Sequence, residues 1–142
     1  MTGYLVVRSG ATRFGLPLAH VVEVVPTEGL TAAPGTSPAV RGVMPVRGRL
    51  IPLAHLDALV RGRTPDATIG HAAVVMSVDG DPVAFEVDEA EELQRAAPGP
   101  LPSGWEFPWA VGVARVGDTL IPILDVASLV ERLRSIQIRE AS

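Results

Sequence analysis

The stretch VRGVMPVRGRLIPLAHLDALV, residues 40–60, predicts one complete structural unit and sets the expectation for the rest of the chain. Gly42 and Gly48 bracket a first apolar run, and a second apolar run covers residues 50–53. Gly48 tolerates a positive φ angle, so the residues between the runs predict a tight hairpin turn that carries Arg47. The unit is therefore expected to be a strand, a turn, a second strand and a short helical turn.

The same unit returns 70 residues later as AVGVARVGDTLIPILDVASLV, residues 110–130. The ungapped alignment gives eight identities in 21 positions, including Gly42 with Gly112 and Pro52 with Pro122. Self-similarity at a fixed spacing indicates one supersecondary unit that is used twice. The repeat also predicts that the two halves of the chain are related by an approximate two-fold axis.

The turn of the unit is the place where the two copies differ. Arg47 and Gly48 of the first copy stand opposite Gly117 and Asp118 of the second. A feature that is present in only one of two structural copies is a better candidate for function than for folding. The Arg-Gly turn is therefore the first candidate for a functional surface.

Composition places the chain among globular proteins with a β-rich interior. Of its 142 residues, 47% are hydrophobic and 20% are charged, which suits one domain or two very small ones that share a core. The 14 Gly and 13 Pro predict many tight turns, and the scarcity of aromatics favours an aliphatic, β-rich core. The chain contains no Cys, which excludes disulfides and thiolate metal sites.

Charge and hydropathy patterns bear on partners and location. The formal net charge of −4 argues against a nucleic-acid binder, which usually carries a basic face. The first ten residues lack a basic region followed by a long apolar segment, and no apolar run approaches the roughly 18 residues of a membrane span. We therefore expect a soluble, intracellular protein with no direct membrane insertion.

Short apolar segments and turn signals predict about five strands in each half. Strands are expected over residues 4–7, 13–18, 20–25, 72–78, 82–87 and 88–94, besides those of the two repeated units. Residues 88–94 match 20–25 at a spacing of 69, one less than that of the repeat. Residues 27–38 and 97–108 read as Pro-rich loops, and Asp125 is placed to cap a C-terminal helix.

The predicted fold is therefore mainly β, with two small five-stranded β-barrels side by side, short helical turns and a C-terminal helix. We expect residues 1–142 to form a single domain made of two barrel subdomains. The polar segment at residues 61–71 is the expected boundary between them.

No pattern of catalytic or metal-binding residues is present. The three histidines, His20, His55 and His71, form no HxH, HxxxH or HExxH pattern. The acidic run at residues 88–92 is expected to be a solvated edge rather than a pair of catalytic carboxylates. The sequence also lacks a GxSxG elbow and a phosphate-binding loop. We predict no enzyme, no cofactor and no metal.

Glu23 and Arg47 are the pair of residues that stands out. Glu23 is the one charge within the run Val21 to Val25, and Arg47 lies on the Gly-bracketed turn. The alternative interpretation is an ordinary surface arginine on a hairpin and a strand-edge glutamate that contributes little. The residues by themselves leave both interpretations open.

A resemblance to the CheW family extends from Tyr4 to about Leu133. The hallmark G-V-x-N-L-R-G is matched by GVMPVRG at residues 42–48, and an apolar strand with Pro follows at 50–53. Further matches are the V-x-E-V motif at 22–24, a V-D-E-V-like segment at 87–90, G-x-A at 112–114, and an apolar strand ending in Leu-Asp at 120–125. The combination of motifs is specific, although each piece alone is weak.

The resemblance implies two SH3-like barrels and a non-enzymatic adaptor that links chemoreceptors to the histidine kinase CheA. The implied partners are the regulatory domain of a CheA-type kinase and the cytoplasmic tips of methyl-accepting chemotaxis proteins. The implied location is cytoplasmic, with recruitment to receptor arrays at the inner face of the membrane. The partner-binding residues that it implies are Glu23, Arg47, Gly48, Gly42, Val21 and His71.

Two positions depart from the family pattern, and a second class of protein remains as an alternative interpretation of the sequence. Pro45 replaces the Asn of N-L-R-G, and His55 replaces the Asp that follows the apolar strand. Pro45 lacks an N–H and stiffens the approach to Arg47. These changes leave open flagellar chemotaxis or a divergent, related pathway. The alternative class is a small-barrel nucleic-acid-binding protein, which would need a basic stripe and surface aromatics.

Overall fold

The computed structural model describes residues 2–33, 37–105 and 109–141, with side chains as far as residue 133. These residues form ten strands and two helices. The strands are β1 (Tyr4–Ser9), β2 (Thr12–Pro17), β3 (Val21–Pro26), β4 (Val40–Val46), β5 (Arg49–His55), β6 (Ala72–Val78), β7 (Asp81–Val87), β8 (Glu89–Gln94), β9 (Ala110–Val116) and β10 (Thr119–Leu124). The helices are α1 (Leu56–Arg61) and α2 (Val126–Ala141).

The strands form two five-stranded sheets that have the same internal order. One sheet has the order β8-β1-β2-β10-β9 and is called barrel I; the other has the order β3-β6-β7-β5-β4 and is called barrel II. Exchanging each strand for the one five places away in the chain converts one order into the other. The two-fold relation expected from the repeat is therefore present in the strand order, and the predicted mainly β fold with two five-stranded units is confirmed.

Each barrel contains strands from both halves of the chain. The hairpin β1-β2 joins β8, β9 and β10 in barrel I, and the hairpin β6-β7 joins β3, β4 and β5 in barrel II. The joints are parallel pairs, β2 with β10 and β5 with β7. The segment at residues 61–71 therefore does not divide the chain into one barrel before it and one after it. The repeat identifies the duplicated unit. It does not predict whether the first hairpin of each half, β1-β2 or β6-β7, pairs with strands of its own half or of the other half.

Three hydrophobic clusters follow from this exchange of hairpins. One cluster lies inside barrel II around Met44 and Leu53, and another lies inside barrel I around Tyr4 and Ile121. The largest cluster contains side chains of both sheets and both helices, including Phe14, Phe85, Leu56, Leu129 and Leu133. Successive strand residues alternate between a barrel interior and this shared core, so β1 and β6 are apolar on both faces.

The sheets close through the loops that follow β3 and β8. Thr31 and Val43 exchange backbone hydrogen bonds of 2.8 and 2.9 Å, and Gly99 and Val113 do the same at 2.8 and 3.0 Å. These bridges connect the two edges of each sheet. The predicted loops at 27–38 and 97–108 contain residues 34–36 and 106–108, which lie outside the described residues.

Gly42 permits the closure of barrel II. A Cβ at this position would lie 2.0 Å from the carbonyl oxygen of Thr31, and its φ of +148° is one that L side chains rarely adopt. Gly112, its counterpart in the repeat, has the same role in barrel I, where a Cβ would lie 2.7 Å from the oxygen of Gly99. A glycine required at the same place in both copies serves the fold.

A buried ion pair attaches the connecting segment to barrel II. Arg41 donates to both carboxylate oxygens of Glu86, at 2.8 and 3.1 Å, and the Glu86 side chain is 1% exposed. The amide of Gly70 donates to the same carboxylate at 2.9 Å, and Arg41 also donates to the carbonyl oxygens of Asp66 and Thr68. Because both charges are satisfied within the protein, loss of one partner would leave the other buried and unpaired.

The two helices are capped by residues at equivalent positions of the repeat, 55 and 125. The Asp125 carboxylate accepts the amide of Ser128 at 3.2 Å, as the sequence predicts. At the start of α1, His55 accepts the amide of Ala58 through Nδ1 at 3.1 Å. The departure from Asp to His therefore keeps the cap, provided that the imidazole is neutral.

We expect Gly42→Ala to lower the free energy of unfolding by about 2–5 kcal/mol, because it combines a strained φ with a clash against backbone. Gly99→Ala is the matched control, since its Cβ would have no neighbour closer than 3.8 Å. Urea unfolding followed by circular dichroism measures both. Equal stability of the Gly42 variant and the native chain would contradict the assignment of Gly42 to barrel closure.

We also expect the protein to lose stability as the pH falls below about 6.5, the pKa of an unfolded histidine. Burial lowers the pKa of His55, an effect that Arg41 and Arg63 reinforce and Glu86 and Asp57 oppose. The folded state therefore binds fewer protons than the unfolded state in this window, and its stability declines as the pH falls towards the lowered pKa.

The test replaces the titrating cap by one that does not titrate. His55→Asn keeps a side-chain acceptor and should reduce the difference in unfolding free energy between pH 7.5 and pH 5.5. His71→Asn changes an exposed histidine and should leave that difference unchanged. The same pH dependence in the native chain and in the His55 variant would show that the cap does not titrate as described.

Candidate functional site

The candidate site lies where the β4-β5 turn of barrel II meets strand β3. Arg47 donates from Nε to Glu23 Oε2 at 2.7 Å and from Nη2 to Glu23 Oε1 at 3.1 Å. This two-point contact joins the edge strand β3 to the turn next to the other edge strand, β4. The structure thus brings together the two residues that the sequence singled out. The contact spans the seam of barrel II, by which we mean the gap between its edge strands β3 and β4; the seam of barrel I is the gap between β8 and β9.

The backbone of the turn directs Arg47 towards the seam. Arg47 and Gly48 have φ angles of +50° and +81°, as both central residues of a type I′ turn require. This turn type matches the twist of the flanking strands, which keeps the hairpin in register from Val46–Arg49 onward. The positive φ of Gly48 was predicted from the sequence, whereas that of Arg47 was not, because arginine rarely adopts it.

The ion pair is accessible to solvent and to other proteins. The Arg47 side chain is 78% exposed and the Glu23 side chain 23% exposed. Hydrogen bonding to Arg47 is the main cause that lowers the pKa of Glu23, and hydrogen bonding to Glu23 likewise raises the pKa of Arg47. Both groups therefore keep their charges at neutral pH, and one face of the guanidinium group remains available.

A cleft of about 160 Å³ lies beside the ion pair. Its walls are the seam residues of β3 and β4 and the residues after them: Glu23, Val25, Pro26, Glu28, Met44, Pro45, Val46 and Arg47. Pro45 is exposed and Met44 is buried below it. The cleft is shallow and mixed in polarity, which suits a contact with a protein segment better than the enclosure of a small molecule.

Exposed apolar side chains next to the ion pair were missed at the level of sequence. Val22 and Val24 flank Glu23 on β3 and are 56% and 45% exposed. The alternation of a strand would have placed them on the face opposite to Glu23, but the sequence does not tell which face is covered. Together with the unpaired edge of β3, they form an apolar margin of the type that protein partners cover.

The other predicted partner-binding residues are distributed less tightly. Val21 is half-buried against the shared core, and Gly42 is buried beneath Thr31. Gly48 is exposed on the turn. His71 is exposed immediately before the start of β6. It is four residues from Val75, the register partner of Glu23, which is roughly 13 Å along a strand. Only Glu23, Arg47 and Gly48 form one continuous surface.

The described residues form neither a metal site nor a helix that could span a membrane. They contain no group of three or more His, Asp or Glu side chains arranged to hold a metal ion. Among them, no helix combines the length and the apolar character that crossing a bilayer requires. Titratable side chains such as Asp57, Glu86 and His55 instead serve ion pairs and a helix cap.

Comparisons with known proteins agree with the motifs in the sequence. A family model described as CheW-like domain matches residues 3–134. Among solved structures, the scaffolding protein TtCheW of Thermoanaerobacter tengcongensis is similar with a TM-score of 0.72 and 21% identity, covering 87% of this chain and 88% of that one. No curated protein sequence matches. The resemblance seen in the sequence is thereby confirmed.

We expect the Arg47 Nε–H to give a slowly exchanging signal in ¹⁵N NMR spectra at neutral pH, because it is held by Glu23. The difference in exchange rate between the Nε–H groups of Arg47 and Arg49 should disappear as the pH falls through the lowered pKa of Glu23, since a protonated carboxyl group no longer holds the guanidinium group. Glu23→Gln should weaken the signal at neutral pH. Arg49, exposed on the same turn, is the internal control; identical exchange at Arg47 and Arg49 would contradict a stable pair in solution.

Proposed function

This chain belongs to the family of CheW-like domains, and we propose that it is a non-enzymatic adaptor between chemoreceptors and a CheA-type histidine kinase. The pathway is bacterial chemotaxis or a related signalling system. The proposed partners are the regulatory domain of the kinase and the cytoplasmic tips of the receptors. The proposed location is the cytoplasm, at receptor arrays on the inner face of the membrane.

One observation carries the proposal: the Arg47–Glu23 pair belongs to one copy of the duplicated unit and is presented at its surface. The pair is bidentate and highly exposed on the arginine side, so it is not needed to satisfy a buried charge. Exposed ion pairs contribute little to folding stability. Val22 and Val24, which flank Glu23 on the edge strand β3, are exposed and would add apolar contact area for a partner that meets this pair.

The architecture fits an adaptor that transmits contacts without chemistry. Two closed sheets share one core with both helices, which makes the chain a rigid body that carries partners on separate faces. Apolar margins at strand edges supply binding area, and a few charges set the register of the partner. Val21, Gly42, Gly48 and His71 remain proposed partner-binding residues, with Gly42 acting through the shape of the seam.

Most described arginine side chains are paired with carboxylates, which argues against the alternative of a nucleic-acid-binding barrel. Arg8, Arg13, Arg41, Arg47, Arg61 and Arg63 all form ion pairs with carboxylates. A basic stripe along a backbone-binding groove needs arginines whose charge is free to meet phosphates. We therefore propose protein partners alone.

We expect Arg47→Glu to weaken binding to a receptor-tip fragment and to the kinase regulatory domain roughly tenfold or more, as loss of a central interface arginine does. Circular dichroism and melting temperature should change little, because the pair is exposed. Arg115→Glu is the matched control, since Arg115 is 75% exposed on the corresponding hairpin of barrel I. Isothermal titration calorimetry with each fragment measures the effect.

Reversal of the pair tests whether the two side chains act together. Glu23→Arg combined with Arg47→Glu should recover part of the binding that either single change removes, because the bidentate contact is rebuilt in the opposite sense. Unchanged affinity of the Arg47 variant for both fragments would count against the proposed surface. An absence of mutual rescue would remove the claim that the residues act as a pair.

A further inference from the structure

Glu92 in barrel I occupies the place that Glu23 occupies in barrel II. Glu23 is paired with Val75 of β6, and Glu92 is paired with Val6 of β1. Glu92 follows Glu23 by 69 residues, and Val75 follows Val6 by the same number. In both edge strands, β3 and β8, the pairing register shifts immediately before the glutamate. The equivalence therefore rests on strand register, independently of sequence similarity.

Barrel I lacks the arginine that Glu23 holds in barrel II. The turn position of Arg47 is taken by Gly117, and that of Gly48 by Asp118, in a hairpin whose closing pair Val116–Thr119 matches Val46–Arg49. A Cβ placed on Gly117 would meet no atom within 4 Å. The space next to the Gly117 backbone, where a side chain would begin, is therefore unoccupied by described atoms.

Other arginines near Glu92 have different partners or point elsewhere. Arg13 donates two hydrogen bonds to Glu91, at 2.7 and 3.1 Å. The charge of Glu92 is only a minor cause of the raised pKa of Arg13. Arg115 donates from Nε to the carbonyl oxygen of Gly117 at 3.2 Å, folding back on its own turn. Among the described residues, Glu92 forms no ion pair or side-chain hydrogen bond, and it is exposed.

We propose that the seam of barrel I is a docking surface for a second protein, which inserts an arginine from a tight β-turn into the position that Arg47 fills in barrel II. Glu92 is the acceptor, and Gly117 leaves the space for the incoming turn. Leu93 and Leu120, which are next to Glu92 and to the turn, are 49% and 45% exposed and supply apolar contact area.

Barrel II specifies the chemistry of the occupant. A carboxylate at this register receives a planar guanidinium group through two hydrogen bonds, which an ammonium group does not reproduce. A metal ion does not fit, since no described metal-binding group is present. The arginine therefore sets the position and orientation of the partner, and the leucines contribute most of its binding area.

The test uses the full chain, labelled with ¹⁵N, and a cyclic hairpin peptide as the probe. The peptide has the sequence of residues 43–52 with Arg49→Gln, so that the turn arginine is its only cation. A second peptide also carries Arg47→Gln. We expect the first peptide to shift the amide signals of Glu92, Gly117 and Asp118 and to bind about two- to fivefold more tightly than the second, as an exposed ion pair allows.

Variants of the chain separate the proposed contact from general charge attraction. Glu92→Gln should remove the preference for the arginine peptide, whereas Glu89→Gln, on the same strand and 59% exposed, should keep it. Equal binding of the two peptides, shifts confined to barrel II, or no shifts at millimolar peptide would each overturn the proposal. Self-association of the chain that Glu92→Gln abolishes would assign the seam to a second copy and overturn it as stated.

The peptide experiment and the binding experiments on the Arg47 variant test different surfaces, so one proposal can be wrong while the other is right. Neither peptide contains a receptor or kinase sequence, and the signals that are followed lie in barrel I. Loss of kinase and receptor binding in the Arg47 variant would leave the peptide experiment unaffected. Conversely, a negative peptide experiment would leave the surface around Glu23 and Arg47 as it is.

Discussion

The exchange of hairpins between the two halves of the chain is the constraint on which the rest of the structure depends. β2 pairs in parallel with β10, and β5 pairs in parallel with β7, so neither half can complete a sheet by itself. At the first joint Gly15 packs against Ile123, whose Cδ1 would lie 2.2 Å from an added Cβ and would have to move. The exchange also creates the core shared by both sheets and both helices. It thereby fixes the positions of the edge strands, whose seams carry the candidate sites.

Duplication separates what the fold needs from what one copy has gained. Gly42 and Gly112 both admit a bridging loop, and residues 55 and 125 both cap a helix. These features recur because each barrel must close and each helix must begin. The ion pair of Glu23 with Arg47 does not recur, although its glutamate has a counterpart in Glu92. Among the described residues, the glutamate of barrel II is thus held by an arginine of the same chain, whereas its counterpart in barrel I is exposed and forms no ion pair.

Much of the fold was predictable because local patterns report strands and turns directly. Residues 72–78 were predicted as a strand and form β6, and the unit at 40–60 forms β4, β5 and α1. At the candidate site, the motif located Glu23 and Arg47, and the structure brings them within 2.7 Å. The division of the chain near residues 61–71 did not coincide with the sheets, since both flanking segments contribute strands to each barrel. Hydrophobic periodicity reports that a strand is buried but not which strand lies beside it.

The sequence by itself determined the strands, the turns, the duplication and the family, because each depends on neighbouring residues or on a spacing along the chain. Only the tertiary structure decided that Gly42 is buried beneath Thr31, that Arg41 and Glu86 form a buried pair, and that Glu92 is the counterpart of Glu23. The physical reason is that contacts between residues far apart in sequence depend on strand register and on chain crossover. Two units of similar sequence satisfy the same hydrophobic pattern whether each closes on itself or exchanges its hairpin with the other.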